Sequence, residues 1–156
     1  METLEVTKTN AIKAFKGSDA KGKKLLTDLY GEKAFSQKIT DRVKTVEDAC
    51  ELLGIGELTL YGNPGDEDII SIAAYHKLII ICRALNEGWK PDWSNRSQVK
   101  YYPWLEYKTG VGFSGTDCGY SRAGTFVGSR LCLKSSELAM YAGKQFESIY
   151  NDFLTL

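Results

Sequence analysis

Apolar residues recur at helical spacing in the first part of the chain, over about residues 1–88, and again near its end. The longest such pattern covers residues 67–85, where apolar side chains occupy more than half of a helix circumference. We expect this segment to form the central and best buried helix. A second helical pattern over residues 135–153 includes Leu138, Phe146 and Phe153 and predicts a closing helix.

A capping signal and a glycine-rich stretch delimit a shorter helix ahead of the central one. Thr45 and Asp48 have the spacing of a capping box for a helix over residues 46–53. The glycine-rich residues 54–65 are typical of a loop, with a brief extended piece expected at residues 58–60.

The N-terminal region combines short helical patterns with many lysines. A short helix is expected within residues 1–16, and Asp19 can cap a second one that ends at Gly31. Six lysines lie between residues 8 and 24 against a single acid. Such a face can attract phosphate, and it equally serves to keep short helices solvated. Both interpretations stay open.

Residues 97–133 change to a β pattern rich in aromatic residues and glycine. Residues 99–107 alternate as a strand does, and Pro103, which cannot donate to a ladder, indicates an edge position or a bulge. The glycines that follow predict two short antiparallel strands joined by a polar loop at about residues 117–123. The second of these strands, over residues 125–133, leads into the closing helix.

These elements together predict an α+β fold. N-terminal helices are followed by a small antiparallel sheet of about three strands, and a C-terminal helix packs on that sheet. We expect a single domain over residues 1–156, with a helical part at about 1–88, a sheet-forming part at about 97–133 and the closing helix at about 135–153.

Composition excludes several classes of function. Twenty basic residues balance twenty acidic ones, so no global field draws the chain to nucleic acid or to anionic membranes. The longest apolar run, residues 78–82, is too short for a bilayer, and no secretory signal precedes it. A soluble protein of the cytoplasm is expected. Four widely spaced cysteines and one histidine do not have the spacing of a zinc motif, so we expect reduced thiols and no bound metal.

No catalytic motif satisfies its own structural requirements. The glycines of residues 110–115 spell G-x-G-x-x-G, but turn-forming residues follow where a dinucleotide fold needs a helix. These glycines mark either hairpin strands or a close approach to phosphate. Cys118 lacks a neighbouring base, because the only histidine, His76, falls in the central helix. We therefore expect neither enzymatic activity nor a cofactor.

The most informative feature is a cluster of rings and cations in the middle third, which holds all three tryptophans. Aromatic planes beside guanidinium groups suit stacking on a base and neutralising a phosphate. The same rings equally suit a subunit interface or a core. The candidate ligand-binding residues are Trp89, Trp93, Arg96, Lys100, Tyr102, Trp104, Arg122 and Arg130.

Four segments carry a resemblance to a known family: residues 38–43, 84–93, 101–104 and 127–146, the last containing Val127-Gly128-Ser129-Arg130-Leu131-Cys132. Together they resemble a family of small proteins common in Bacteroidota genomes, prophages and phages. The resemblance covers most of the chain and implies no activity and no functional residues. It implies a context, namely a phage or mobile-element accessory protein made in a bacterial cytoplasm.

The sequence thus leads to a non-enzymatic binding protein, expected to be a homo-oligomer, that holds a nucleotide-like ligand. In a phage context it would sequester a nucleotide signal of host immunity. One alternative is a single-stranded nucleic-acid binder that uses the same rings together with the lysines of residues 8–24. Another is a structural phage protein or a partner-binding inhibitor. None of these readings involves a membrane.

Overall fold

In the computed structural model the chain forms two compact units, one ending at Arg42 and one beginning at Val43. The structure describes residues 6, 8–35, 38–56, 58, 63 and 65–155. The sequence analysis expected a single domain over residues 1–156, and the two units are described in turn.

The first unit consists of helices that pack on one another. They are α1 (Lys8–Gly17), α2 (Ala20–Tyr30), α3 (Glu32–Phe35) and α4 (Ile39–Arg42). Asp19 caps α2 as predicted, because its Oδ1 accepts a hydrogen bond from the Gly22 N–H at 2.8 Å, and Gly31 ends the helix with φ of 79°. No side chain of α2 is buried. This unit therefore has little core, in keeping with its many lysines.

In the second unit, two helices form as predicted. Helix α5 (Val46–Leu53) begins with the capping box, in which Thr45 Oγ1 accepts from the Asp48 N–H at 3.1 Å and Asp48 Oδ2 accepts from the Thr45 N–H at 3.0 Å. Helix α6 (Glu67–Asn86) is the best buried element, with Leu78 and Leu85 fully enclosed. The extended piece predicted at residues 58–60 falls mostly outside the described residues.

The sheet is an antiparallel hairpin of β1 (Lys100–Lys108) and β2 (Gly112–Ser121). A turn over residues 109–111 joins the strands, and Gly110 there has φ of 80°. The polar loop predicted at residues 117–123 was wrong, because residues 117–121 belong to β2. Thr116 is the extra residue of a bulge opposite the Trp104 to Leu105 step.

The strand predicted over residues 125–133 is reduced to one β-bridge, between Tyr101 and Leu133. Tyr101 and Leu133 exchange N–H to O bonds of 3.0 and 2.8 Å, and residues 122–132 lie outside the strands. The backbone groups of Pro103, two residues along from Tyr101, point to that same sparsely paired edge, so its missing N–H costs no bond to β2. The α+β class is thereby confirmed, with two full strands and a bridged segment forming the small sheet.

The closing helix is two helices, α7 (Ser136–Gln145) and α8 (Glu147–Leu154), which break at Phe146. The sequence analysis expected one. The break accompanies contacts that α8 makes in two directions: Asn151 exchanges side-chain hydrogen bonds of 2.7 Å with the Phe113 backbone on β2, and the Phe153 carbonyl accepts from Ser71 Oγ on α6 at 3.2 Å.

Two glycines allow α7 to approach the hairpin closely. A Cβ at Gly115 on β2 would lie 2.7 Å from the backbone carbon of Gly143 on α7, and a Cβ at Gly143 would lie 2.9 Å from the Pro103 ring. Both glycines are buried. Packing of the helix on the sheet therefore requires backbone against backbone at this point.

The substitution Gly115→Ala should lower the free energy of unfolding by about 1–3 kcal/mol, because the added methyl group forces α7 away from the hairpin. Urea unfolding followed by far-UV circular dichroism measures this loss. Gly124→Ala is the matched control, since nothing lies within 4 Å of a Cβ there. Equal stability of the two variants would contradict the close approach.

Candidate functional site

Lys100, the first residue of β1, is buried with no exposed surface. Its Nζ lies within hydrogen-bond distance of four main-chain carbonyls, which share its three N–H donors: those of Asp92 at 2.5 Å, Asn95 at 3.2 Å, Gln98 at 2.9 Å and Arg122 at 3.0 Å. The dipoles of these carbonyls take the place of water around the ammonium. We call this arrangement the Lys100 cage.

The elbow loop, residues 87–99, supplies three of the four carbonyls and is shaped by its own side chains. Asp92 Oδ1 accepts from the Ser94 N–H at 2.9 Å, Asn95 Oδ1 accepts from the Ser97 N–H at 2.9 Å, and Gln98 Oε1 accepts from the Asp92 N–H at 2.6 Å. The bonds from Ser94 also lower the pKa of the Asp92 carboxyl. These side-chain hydrogen bonds shape the loop locally, and the contacts to Lys100 Nζ hold it against the start of β1.

Trp93 connects the elbow loop to the segment that precedes α7. Its ring lies 5.0 Å from Lys100 Nζ, within range of a cation–π interaction, and its Nε1–H donates to Ser129 Oγ at 2.6 Å. Arg130 is the next residue along the chain. The Lys100 cage and Trp93 therefore bring together the segments that carry Arg96, Arg122 and Arg130.

Two of the predicted ligand-binding residues have structural roles instead. Lys100 was expected to meet a ligand, but burial and its four carbonyl acceptors leave it no free direction. Tyr102 is only 7% exposed, and its ring covers Gly119, its partner across the hairpin. Both are corrections, and both arise because this face of β1 is covered and not open.

The other six predicted residues divide by position. Trp89 and Trp93 are half-buried in the elbow loop, and Trp104 is half exposed about 13 Å along β1 from Lys100. The remaining three, Arg96, Arg122 and Arg130, are all exposed. Trp104 therefore does not share a site with the residues around Lys100.

The exposed arginines form the candidate site, which we call the arginine surface (Arg96, Arg122 and Arg130). None of the three has an ion pair with a carboxylate in the part of the chain that the structure describes. Guanidinium groups with free donors are the groups that bind phosphate in two-pronged fashion. The surface has the chemistry of an anion-binding site.

The backbone around the Lys100 cage adds to this positive character. In a trans peptide the C=O and the following N–H point in opposite directions. The carbonyls of Asn95 and Arg122 point at the ammonium, so the N–H groups of Arg96 and Ala123 point away from it. Neither N–H has an acceptor among the described residues, and both residues are exposed. Outward N–H dipoles add to the positive character of these two backbone segments.

Two of the four cysteines, Cys82 and Cys132, are buried in the core, and Cys50 and Cys118 are half-buried. Burial raises the pKa of the Cys82 thiol to about 12, and it also raises the pKa of Cys132. The pKa values of Cys50 and Cys118 are raised as well, first by burial and then by neighbouring carboxylates. A thiol with a raised pKa holds little thiolate near neutral pH, so the structure offers no activated cysteine among these four.

Sequence reasoning missed the roles of Lys100 and of Asn86. The buried Asn86 amide donates to the Cys132 carbonyl at 2.8 Å and accepts from the Lys134 N–H at 3.0 Å, and so fixes the bridged segment to the end of α6. Strand alternation places Lys100 on the same face as Tyr102 and Trp104, of which one is buried and the other half exposed, so the sequence carried no signal for the burial of Lys100.

Three cavities of about 410, 420 and 680 Å³ are lined by other residues, and none of the eight predicted residues contributes to them. Among the described residues there is no cluster of ligating side chains suited to a metal. Within the same residues, every helix is too short or too polar to cross a bilayer.

No protein-family model, curated protein or solved structure matches the chain.

Replacing Lys100 with methionine should lower the free energy of unfolding by about 3 kcal/mol or more, because each buried carbonyl left without a donor costs about 1–3 kcal/mol. Urea unfolding monitored by tryptophan fluorescence measures the loss. Lys90→Met removes an exposed lysine from the same loop and should leave stability nearly unchanged. If both variants unfold at the same urea concentration as the parent, the Lys100 cage does not hold the loop.

Thiol labelling at pH 8 should separate the four cysteines. We expect Cys82 and Cys132 to stay unmodified in the folded protein, because burial keeps them protonated and shielded, while Cys50 and Cys118 react slowly. All four should react in guanidinium chloride. Mass spectrometry of the labelled peptides identifies the sites, and rapid labelling of Cys82 without denaturant is the contrary result.

Proposed function

We propose that this chain is a binding protein that holds a phosphate-bearing, nucleotide-like ligand on the arginine surface. The supporting observation is that one buried ammonium, together with Trp93, connects three arginine-bearing segments. In the described part of the chain their guanidinium groups have no carboxylate partner. Rigid support reduces the cost of ordering the site when a ligand binds.

The phosphate is the part of the ligand that this surface recognises best. The guanidinium groups of Arg96, Arg122 and Arg130 supply charge and paired donors, and the outward N–H groups of Arg96 and Ala123 supply further donors. Trp89 and Trp93 are half-buried, so each indole keeps an accessible part on which a base can stack.

The proposal is one of binding without turnover. A protein that binds a nucleotide signal and does not convert it lowers the free concentration of that signal. In the cytoplasm of a bacterial host, with the phage context that the resemblance implies, this amounts to sequestering a nucleotide signal of host immunity. We propose a homo-oligomer, since exposed rings on the hairpin suit a subunit contact.

Single-stranded nucleic acid is the second candidate ligand. Phe126 is 93% exposed, and Trp104, Tyr107 and Tyr120 are each more than half exposed. Exposed rings together with exposed arginines are the groups that such proteins use to stack bases and neutralise phosphates. This alternative needs Trp104, whereas a small ligand on the arginine surface does not reach it.

Isothermal titration with cyclic and linear nucleotides tests the first proposal. The double variant Arg122→Gln/Arg130→Gln should weaken the best ligand about tenfold, because exposed ion pairs contribute a few-fold each. Arg83→Gln, which removes an exposed arginine from α6, is the matched control and should not change affinity. Absence of binding for every nucleotide, or equal loss in the control, counts against the arginine surface.

Trp104→Ala separates the two candidates. It should leave nucleotide affinity unchanged and should weaken binding of an oligothymidylate, which loses a stacking partner worth about 1–3 kcal/mol. Oligonucleotide affinity should also fall steeply with salt, with a slope of about 0.7 per contacted phosphate. An oligonucleotide that binds as well to Trp104→Ala as to the parent removes the second candidate.

A further inference from the structure

The first unit contains a cleft that the arginine surface does not involve. It has a volume of about 410 Å³ and is lined by Ile12, Phe15, Lys16, Lys23, Ala34, Phe35 and Arg42. All seven residues belong to the unit that ends at Arg42. The volume lies in the range of small-molecule sites.

The floor of the cleft is apolar and partly covered. The rings of Phe15 and Phe35 stack with centroids 4.2 Å apart and planes inclined by only 6°, and Ile12 and Ala34 complete the surface. All four side chains are half-buried, so each keeps an accessible part. The stacked rings at the junction of α1 and α3 give the cleft an apolar wall against which an incoming ring can pack.

Three cations line the rim of the cleft. Lys16 and Lys23 are exposed and Arg42 is half-buried, and there is no carboxylate among the described residues that line it. Lys23 Nζ lies 5.9 Å from the centre of the Phe15 ring, and none of the three cations has an ion pair among the described residues. A small anion that enters the cleft is therefore attracted to all three cations.

We propose that this cleft is a second binding site, which takes a small anion with an aromatic body. The ring of the ligand packs on Phe15 and Phe35, and its acidic group, a carboxylate, sulfonate or phosphate, meets Lys16, Lys23 and Arg42. This assignment gives the lysine-rich N-terminal region a function that a solvated helical face does not have, because two of its lysines line the cleft. It is independent of the ligand proposed for the arginine surface.

Two dyes of similar shape test the charge and the ring separately. The probe 1-anilinonaphthalene-8-sulfonate is an aromatic anion, and N-phenyl-1-naphthylamine is its uncharged counterpart. With the full chain, the anionic dye should saturate one site with the tighter affinity. Lys16→Gln/Arg42→Gln should weaken the anionic dye about tenfold and the uncharged dye less than twofold, because only the former uses the rim.

The matched control is Lys13→Gln/Lys21→Gln. It also removes two positive charges, but from positions of α1 and α2 that do not line the cleft, and it should change the affinity of neither dye. Phe35→Leu should weaken both dyes, and circular dichroism verifies that each variant keeps the parent helix content. A loss of anionic dye binding equal in the control and in Lys16→Gln/Arg42→Gln would overturn the proposal, as would no loss in the latter.

The arginine-surface variant Arg122→Gln/Arg130→Gln provides the last arm of the experiment. Dye affinity should be unchanged in this variant while nucleotide affinity falls. Failure of nucleotide binding therefore leaves the cleft proposal standing, and failure of dye binding leaves the arginine surface standing. Dye affinity that falls with Arg122→Gln/Arg130→Gln and not with Lys16→Gln/Arg42→Gln would assign the dye to the other surface and refute the cleft.

Discussion

The ammonium of Lys100 is the contact on which the middle of the chain depends. Moving a charged amine out of water costs several kcal/mol, and a loop that turns its carbonyls inward pays a similar cost if they find no donor. Here the ammonium and the carbonyls satisfy each other. Three of the four carbonyls belong to the elbow loop, and the fourth belongs to Arg122, the residue after β2. The start of β1, the end of β2 and the elbow loop are consequently one structural element.

Sequence reasoning succeeded where the signal is local. The capping box of Thr45 and Asp48 and the stop at Gly54 involve residues a few positions apart, so they specify α5 without reference to the rest of the chain. The hairpin turn is different. Several glycines qualify for it, and the pairing of Lys108 with Gly112 selects Gly110, which is a property of strand register and not of any single residue.

The candidate site was predictable by residue type but not by role. Lysine and arginine with neighbouring rings suit an anion site where they are exposed, and the three arginines are exposed. Lys100 does not, because its burial depends on carbonyls up to 22 residues away in the chain. No rule of composition or spacing distinguishes a cation that faces solvent from a buried cation whose ammonium binds the carbonyls of a loop. The cleft of the first unit was likewise beyond reach, since Phe15, Phe35 and Arg42 meet only after folding.

The acceptors of Lys100 are all main-chain atoms, and this separates the atoms that hold the loop from the side chains that the arginine surface exposes. The side chains at positions 96, 122 and 130 can be exchanged without removing any of the contacts to the ammonium. Substitutions at those three positions therefore change the charge of the surface and leave the backbone beneath it in place.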